Sequence, residues 1–362
     1  MQKTSSAYIP SLDGLRGLSI LLVYIAHVGY EKLVPGGLGV TVFFFISGYI
    51  ITNLLLDEYE KTGTTDLKLF YSRRMLRLYP PLLLMLGLYL VASVFVLKPA
   101  NPSEVFAALF YYENYYFFFH SLSNHSSLMI LWSLAVEEHF YLLFPLLFML
   151  LVRNVQQLKI TLAILIVIPL ALRFWSVMVY QGQPDLAEAN TYLLTHNRFD
   201  SILYGCLASV IQYSSSSKSY EKVLSNKLVF IVALAVQLLC LVVRDATFRN
   251  TLRYSLQGLS LFILVPAIVN INAYHWLKEI FSNKALVFIG KLSYSIYLMH
   301  MLAVNALMPI KTAGHTILYI LAVTGVTLTL SLSSYYLVEK PLGKLRKRLK
   351  PKPLPIVAIP EI

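Results

Sequence analysis

Charged residues are scarce in this 362-residue sequence, where Asp, Glu, Lys and Arg together make up 13% of the chain. A soluble domain usually carries about 25% charged residues. Here 57% of the residues are hydrophobic. They form long apolar runs of about the 20 residues that cross a bilayer, separated by short polar stretches. A soluble protein of this length cannot cover so much apolar surface, so the sequence predicts one integral membrane domain.

Cysteine is nearly absent as well. Cys206 and Cys240 lie in apolar runs and predict neither a disulfide framework nor a metal site.

Acidic residues are outnumbered by basic ones, 18 to 30, which gives a net charge of +12. On a soluble protein this excess would suggest nucleic acid, but in a membrane protein Lys and Arg accumulate in cytoplasmic loops. We therefore expect the lipid bilayer and no nucleic acid as a partner.

The apolar runs predict an all-α integral membrane protein with about ten transmembrane helices. The run 104–119 is short and rich in Tyr and Phe, so we expect an interfacial or re-entrant segment there. With both termini in the cytoplasm, the outside loops then include 99–127 and 181–196, which lack Lys and Arg. The expected domain is 1–340, followed by a short basic cytoplasmic tail, 341–362. The predicted spans are 12–29, 36–56, 80–98, 128–152, 159–180, 197–213, 228–243, 254–272, 292–310 and 316–338.

The first predicted span carries three ionisable side chains. Each costs about 2.5–3.5 kcal/mol at the bilayer centre, which makes such residues functional candidates. Arg16 and His27 are 11 residues apart, nearly three helical turns, so they project from one face with a rise of about 16 Å between them. Asp13 lies near the same stripe. A lone helical histidine is more often a packing residue, but this alignment favours a functional site.

Two adjacent carboxylates lie in the predicted span 128–152. Glu137 shares a helical face with Ser133, whereas Glu138 points about 100° away. Two adjacent carboxylates in an apolar helix are hard to justify by structure alone, so both are functional candidates. The alternative is structural, in which either glutamate pairs with Arg173 or Arg198 and holds helices together.

An arginine cluster precedes the third span. Arg74 and Arg77 are three residues apart on a predicted amphipathic helix at the cytoplasmic surface, next to Arg73. Paired guanidinium groups suit phosphate recognition because each can donate two parallel hydrogen bonds. The alternative is a stop-transfer cluster that contacts lipid phosphates.

Two further polar groups are candidates. Arg198 and Asp200 open the seventh predicted span, and Tyr297 and His300 share one helical face with Ser293. The second group is either a packing network or the wall of a site.

Taken together these segments resemble acyltransferase family 3, membrane acyltransferases that modify bacterial surface polysaccharides and related molecules. Two positions depart from the family pattern: His139 stands where Gln is frequent, and Met299 stands where an aromatic residue is common. The resemblance covers nearly the whole chain. It rests on LDGLRG with His27, FFFISGYIIT, RRMLRLYPP, WSLAVEEHFYLLFP, NRFDSILYG, GKLSYSIYLMH and VEKPL.

The resemblance implies an acyl-CoA donor, usually acetyl-CoA, loaded from the cytoplasm. It implies a carbohydrate hydroxyl as acceptor, such as that of O-antigen or another surface polysaccharide, in the bacterial inner membrane. No metal is expected, and homo-oligomer formation is left open. The family's proposed catalytic histidine maps to His27, and its donor-binding arginine pair maps to Arg74 and Arg77. With these we group Asp13, Arg16, Glu137 and Glu138 as catalytic candidates, Arg73 as a donor-binding candidate, and Arg198, Asp200, Tyr297 and His300 as acceptor-binding candidates.

His27 is expected to act as a general base on the acceptor hydroxyl, or to carry the acyl group itself. Glu137 or Glu138 is expected to orient it, and Arg198 or a backbone amide to stabilise the oxyanion. Two other functions are compatible with the sequence. One is an acyltransferase with a small-molecule or lipid-linked acceptor, and the other is a transporter or flippase, although the inverted repeats typical of transporters are not evident.

Overall fold

A computed structural model describes residues 8–120 and 126–349, and all regular structure in these two ranges is helical. The all-α prediction is confirmed. Residues 350–362 of the predicted tail lie outside the described residues. The α-helices are α1 Pro10–Ile25, α2 Gly36–Thr62, α3 Leu67–Phe95, α4 Pro102–Leu109, α5 Glu113–His120, α6 Trp132–Leu151, α7 Val155–Val179, α8 Pro184–Leu193, α9 Phe199–Tyr213, α10 Ser217–Leu224, α11 Lys227–Val242, α12 Ala246–Asn250, α13 Leu252–Asn270, α14 His275–Phe281, α15 Lys284–Ala306, α16 Met308–Thr312, α17 Thr316–Ser334 and α18 Lys340–Arg348.

Eight helices in the described part of the chain are long and apolar enough to cross a membrane. They are α2, α3, α7, α13 and α15, together with α1 continued to Tyr30, α6 with the turn before it, and α17 continued to Arg346. The chain is therefore a multi-pass membrane protein. The remaining two predicted spans correspond to α9 and α11, which have only 15 and 16 residues. Helix α11 forms a pair with α10 that is bent by 71°, and counting this pair as one span gives nine.

Helix α9 packs along α2 although it is short. A Cβ atom at Gly48 would lie 2.0 Å from the carbonyl oxygen of Ile202, and one at Gly205 would lie 2.1 Å from that of Phe45. Only glycine permits backbones to approach this closely, as at many helix contacts in membranes. The two glycines therefore hold α9 against a helix that is long enough to span the bilayer.

The run 104–119 forms two eight-residue helices, α4 and α5. Asn101 caps α4, and the chain then turns at Tyr111, whose φ is 55°. Neither helix is long enough to cross, since a span needs about 20 residues. Burial raises the pKa of the Glu113 carboxyl in α5 well above its ordinary value, and the nearby Glu104 raises it further.

Glycines also bring α1 against α15. A Cβ at Gly17 would lie 2.2 Å from the carbonyl oxygen of Leu286, and one at Gly290 would lie 1.8 Å from that of Asp13. The two helices therefore touch through their backbones, and this contact explains Gly17 of the LDGLRG segment and Gly290 of the GKLSY segment. The other glycine of LDGLRG, Gly14, lies against the carbonyl of Phe281 at the end of α14. Because α1 and α15 lie side by side, the polar residues that α1 carries on this face meet those of α15.

The start of the predicted tail is part of the fold. Helix α18 packs against α3, and the Nε atom of Arg73 donates a hydrogen bond of 2.7 Å to the carbonyl of Leu349. Just before α18, a π-helical turn carries Glu339, whose carboxylate accepts a hydrogen bond from Ser295 of α15.

Candidate active site

A cavity of about 690 Å³, its open mouth included, lies between α1, α2, α3, α6 and α15. It extends from Ser133 to Tyr141 along α6, or about 12 Å, and from Val40 to Ile51 along α2, or about 16 Å. Its polar lining comes from all five helices, and its remaining wall is mostly apolar. The polar lining residues are Arg16, Ser47, Arg74, Arg77, Ser133, Glu137, Tyr141, Ser293, Tyr294 and Tyr297.

Positive charge dominates this cavity, because three guanidinium groups face one carboxylate. Arg16 donates a hydrogen bond of 3.2 Å to Ser293. Arg74 lies over the rings of Phe70 and Tyr141, at 5.6 and 5.1 Å. Arg77 forms no hydrogen bond or ion pair with a described residue. The cavity therefore presents donors suited to an anionic group, above all at Arg77.

The cavity carboxylate belongs to Glu137. Its oxygens accept hydrogen bonds of 2.7 Å from Ser47 and 3.3 Å from Tyr141. Glu138 does not line the cavity, as the predicted angle between the two side chains implies. Neither glutamate contacts Arg173 or Arg198 among the described residues, so the alternative of a helix-clamping ion pair does not describe them.

Asp13 and Arg73, which the sequence also groups with this site, lie outside the cavity lining. Asp13 accepts a hydrogen bond of 2.8 Å from the hydroxyl of Tyr8. Arg73 binds the carbonyl of Leu349 with two of its nitrogens, so it faces α18 and not the space between the helices. The structure thus separates Arg73 from its neighbours Arg74 and Arg77, because successive residues of a helix point about 100° apart.

At one end of the cavity stands Tyr297. Its hydroxyl donates a hydrogen bond of 2.8 Å to the carbonyl of Ile130 and lies 2.5 Å from the hydroxyl of Ser133. The centres of the Tyr297 and His300 rings are 5.7 Å apart. His300 in turn contacts His27, with ring centres 5.1 Å apart. His27 itself does not line the cavity.

His27 lies where α1 widens into a π-helical turn, Ala26–Tyr30. Within this turn Gly29 has a φ of 124°, and a Cβ there would lie 2.7 Å from the Nζ atom of Lys311. Such π turns are frequent at functional sites. The turn leaves His27 exposed while its Nδ1 atom lies 2.9 Å from the carbonyl of Val23. Arg16 and His27 both face α15, as their spacing predicts.

Arg198 and Asp200 have different surroundings, and neither residue is part of the cavity lining. The Arg198 guanidinium lies 3.9 Å from the centre of the Tyr254 ring and also contacts the rings of Phe44, Trp132 and Tyr192. Its Nε atom has no hydrogen-bond partner among the described residues.

Asp200 forms a buried ion pair with Arg173, at 2.7 Å. Ser255 donates to the same carboxylate, also at 2.7 Å, and the amide of Ser201 donates to its other oxygen. Arg173 further donates to the carbonyl oxygens of Thr251 and Asn197. This ion pair has a full set of partners and joins α7 to α9 and α13.

Sequence reasoning missed two residues of these networks. Ser47 binds the carboxylate of Glu137, but a serine in an apolar helix gives no signal by itself. Arg173 appeared only as an alternative partner for the glutamates. Its position within an apolar span was itself a signal, since a charge there needs a buried partner.

Residues 9–336 match the family model described as an acyltransferase domain. The peptidoglycan O-acetyltransferase OatA of Listeria monocytogenes is 32% identical over 311 residues, which are 82% of this chain and 49% of that protein. The O-acetyltransferase OatA of Staphylococcus aureus is 30% identical over 357 residues, 94% of this chain and 58% of that protein. The chain thus spans about half the length of the curated relatives it matches. No solved structure matches it.

Proposed function

The chain belongs to the acyltransferase family whose model covers residues 9–336, and from this premise we propose that it transfers an acetyl group from acetyl-CoA to a carbohydrate hydroxyl outside the cytoplasm. The names of its relatives support O-acetyl transfer, and the Listeria protein is named for peptidoglycan. The proposed acceptor class is therefore a cell-surface polysaccharide, either peptidoglycan or O-antigen.

One observation carries the proposal: three guanidinium groups and one carboxylate line a cavity within the membrane domain. The nucleotide part of CoA bears a 3′-phosphate and a pyrophosphate, which are the groups that arginine binds best. Arg77, which forms no hydrogen bond with a described residue, and Arg74 would hold these phosphates, and Arg16 would line the path beyond them.

The proposed orientation places both chain ends and the Arg74–Arg77 end of the cavity on the cytoplasmic side of a bacterial plasma membrane. His27 then lies toward the outside. The pantetheine arm of CoA is about 15–20 Å long when extended, similar to the length of the cavity along α2. A donor held by the arginines would therefore bring its thioester to the Tyr297 end. Movement of Tyr297 or Ser133 would open the remaining step to His27.

The proposed chemistry uses His27 as a general base. Its Nε2 atom accepts the proton of the acceptor hydroxyl while the hydroxyl oxygen forms a bond to the acyl carbon. The carbon–sulfur bond breaks, and its electron pair leaves on sulfur. The imidazolium then returns the proton to the thiolate, which leaves as free CoA. His27 ends the cycle neutral, so it is a catalytic residue that is not consumed.

A thiol-release assay tests this function. Purified protein in lipid vesicles, given acetyl-CoA and a soluble fragment of peptidoglycan or O-antigen, should release CoA and acetylate the fragment. Transport of acetyl-CoA or of the fragment without thiol release would support a transporter instead. Mass spectrometry of surface glycans from cells with and without the protein would identify the natural acceptor.

A further inference from the structure

Two histidines from different helices meet at the end of the cavity. The Nε2 atom of His300 on α15 lies 3.3 Å from the Nδ1 atom of His27 at the end of α1. His300 is completely buried, whereas His27 is exposed. We propose that His300 is a positioning residue, which holds His27 in the tautomer that leaves its Nε2 atom free to accept a proton. The proposal rests on the function proposed above and assigns to His300 a role different from acceptor binding.

The hydrogen bonds of His300 define its own tautomer. Its Nδ1 atom lies 3.0 Å from the carbonyl oxygen of Ile296 and 2.8 Å from that of Tyr297. A carbonyl oxygen only accepts hydrogen bonds, so Nδ1 must carry the proton. In a neutral imidazole the other nitrogen then carries the lone pair. The Nε2 atom of His300 is therefore an acceptor that points at His27.

The same reasoning defines the tautomer of His27. Its Nδ1 atom faces two acceptors, the carbonyl of Val23 at 2.9 Å and the Nε2 atom of His300. Nδ1 must therefore carry the proton and share it between them. The lone pair is left on Nε2, which has no hydrogen-bond partner among the described residues. The partner of one ring nitrogen thus decides which nitrogen of His27 can act as the base.

The backbone keeps this pair in place. The glycine contacts between α1 and α15 fix the two helices at a short distance, and the π-helical turn at Ala26–Tyr30 directs the His27 ring toward α15. Both ring nitrogens of His300 already have hydrogen-bond partners, and its side chain is completely buried. His300 therefore cannot exchange a proton with the acceptor substrate. The exposed ring is therefore the base and the buried ring is its support.

A neutral partner suits this location. When the Nε2 atom of His27 takes a proton, the hydrogen bond from its Nδ1 atom to His300 becomes charge-assisted and strengthens. A buried carboxylate would strengthen it more, but it would cost desolvation energy throughout the resting state. With a neutral histidine as the partner, the pair is charged only while the Nε2 atom of His27 carries the transferred proton.

The test compares His300→Phe with His300→Gln in the vesicle assay. Phenylalanine keeps an aromatic ring but removes the side-chain acceptor and leaves the Nδ1 atom of His27 with only the carbonyl of Val23. The kcat should therefore fall about 100-fold, within the range of general-base effects, while KM for acetyl-CoA stays the same. Glutamine can accept the hydrogen bond from Nδ1–H of His27 through its side-chain oxygen, so the kcat of His300→Gln should be at least about tenfold higher than that of His300→Phe. Tyr24→Phe is the matched control. It removes a hydrogen bond to Thr324 beside the His300 ring without touching the acceptor, and it should leave kcat unchanged.

A kcat for His300→Phe within threefold of wild type would overturn the proposal, as would equal losses in both His300 variants. If His300→Phe does not fold, ¹⁵N chemical shifts of His27 in the unaltered protein decide the question. A protonated Nδ1 and an unprotonated Nε2 support the assignment, and the opposite tautomer rejects it. These outcomes are separate from the proposed function, which fails instead if the unaltered protein releases no CoA or if His27→Ala is fully active.

Discussion

Arg16 of α1 donates a hydrogen bond to Ser293 of α15. About three turns farther along α1, and two turns farther along α15, the same two helices bring His27 against His300. One helix pair therefore carries both a cation of the cavity and the candidate base. A residue that changes the packing of α1 on α15 will affect both, whereas a residue on α3 or α6 will affect the cavity alone.

The three neighbouring arginines of α3 should behave differently. Arg74→Ala and Arg77→Ala each remove a cavity cation and should raise KM for acetyl-CoA about 10- to 100-fold. That range corresponds to the loss of about 1.5–3 kcal/mol for hydrogen bonds to a charged group. Arg73→Ala is the control, because Arg73 binds the carbonyl of Leu349 and not the cavity. Equal KM values for all three variants would contradict the proposed donor site.

The adjacent glutamates should also differ. Glu137→Gln removes the one carboxylate that the described residues contribute to the cavity lining. An anionic donor should therefore bind about fivefold more tightly, as expected for the loss of about 1 kcal/mol of repulsion between charges that are screened by solvent. Glu138→Gln should change donor affinity less, since Glu138 lies outside the lining. Equilibrium binding of a non-hydrolysable acyl-CoA analogue measures both. Weaker binding by Glu137→Gln would show that this carboxylate holds the donor and does not repel it.

The sequence predicted which residues share a helical face more reliably than which partner each face meets. The spacing of Arg16 and His27 correctly indicated one face, and the spacing of Ser133 and Glu137 correctly indicated another. Periodicity gives the direction of a side chain relative to its own helix, but a contact depends on how helices are rotated and shifted against each other. For this reason Arg73 and Asp200 were grouped with candidate sites, although the fold turns one to Leu349 and the other to Arg173.

The π-helical turn at His27 was equally beyond a periodicity argument. A regular helix is assumed when residues are placed at 3.6 per turn, so spacing cannot reveal the extra residue of a π turn. His27 lies near the start of the turn and keeps the direction that the spacing predicts, whereas the residues after it do not follow the regular spacing. The number of membrane-spanning helices could not be predicted from hydropathy alone either. Helices α9 and α11 are short, and what keeps α9 in the bundle is its glycine contact with α2, which hydropathy does not report.

We expect Asp200 to stabilise the folded protein through its buried ion pair with Arg173. Asp200→Asn leaves the buried Arg173 without its countercharge, a loss that costs about 3–5 kcal/mol when one partner of a buried pair is removed. The thermal midpoint of the protein in detergent should fall by several degrees or more. Asp185→Asn, at an exposed site on α8, should leave it unchanged. A stable Asp200→Asn protein with a raised KM for the acceptor would instead support the binding role predicted from sequence.

The contact between α1 and α15 can be tested at Gly290. Gly290→Ala places a methyl group 1.8 Å from the carbonyl oxygen of Asp13, so the helices must separate, and both thermal stability and kcat should fall. Gly325→Ala in α17 has no atom within 4 Å of the new methyl group. There the helix should gain about 0.5–1 kcal/mol from the substitution. Full activity of Gly290→Ala would show that the alignment of His27 with His300 tolerates this shift.

The central claim is that the donor binds in the cavity, at Arg74 and Arg77, whereas proton transfer occurs at His27 outside the cavity lining. The most direct measurement is His27→Ala, with acyl transfer and acyl-CoA binding measured on the same preparation. We predict that transfer falls to background while the dissociation constant of acyl-CoA stays within twofold of wild type, because His27 does not line the cavity. Undiminished acyl transfer in this variant would contradict the account.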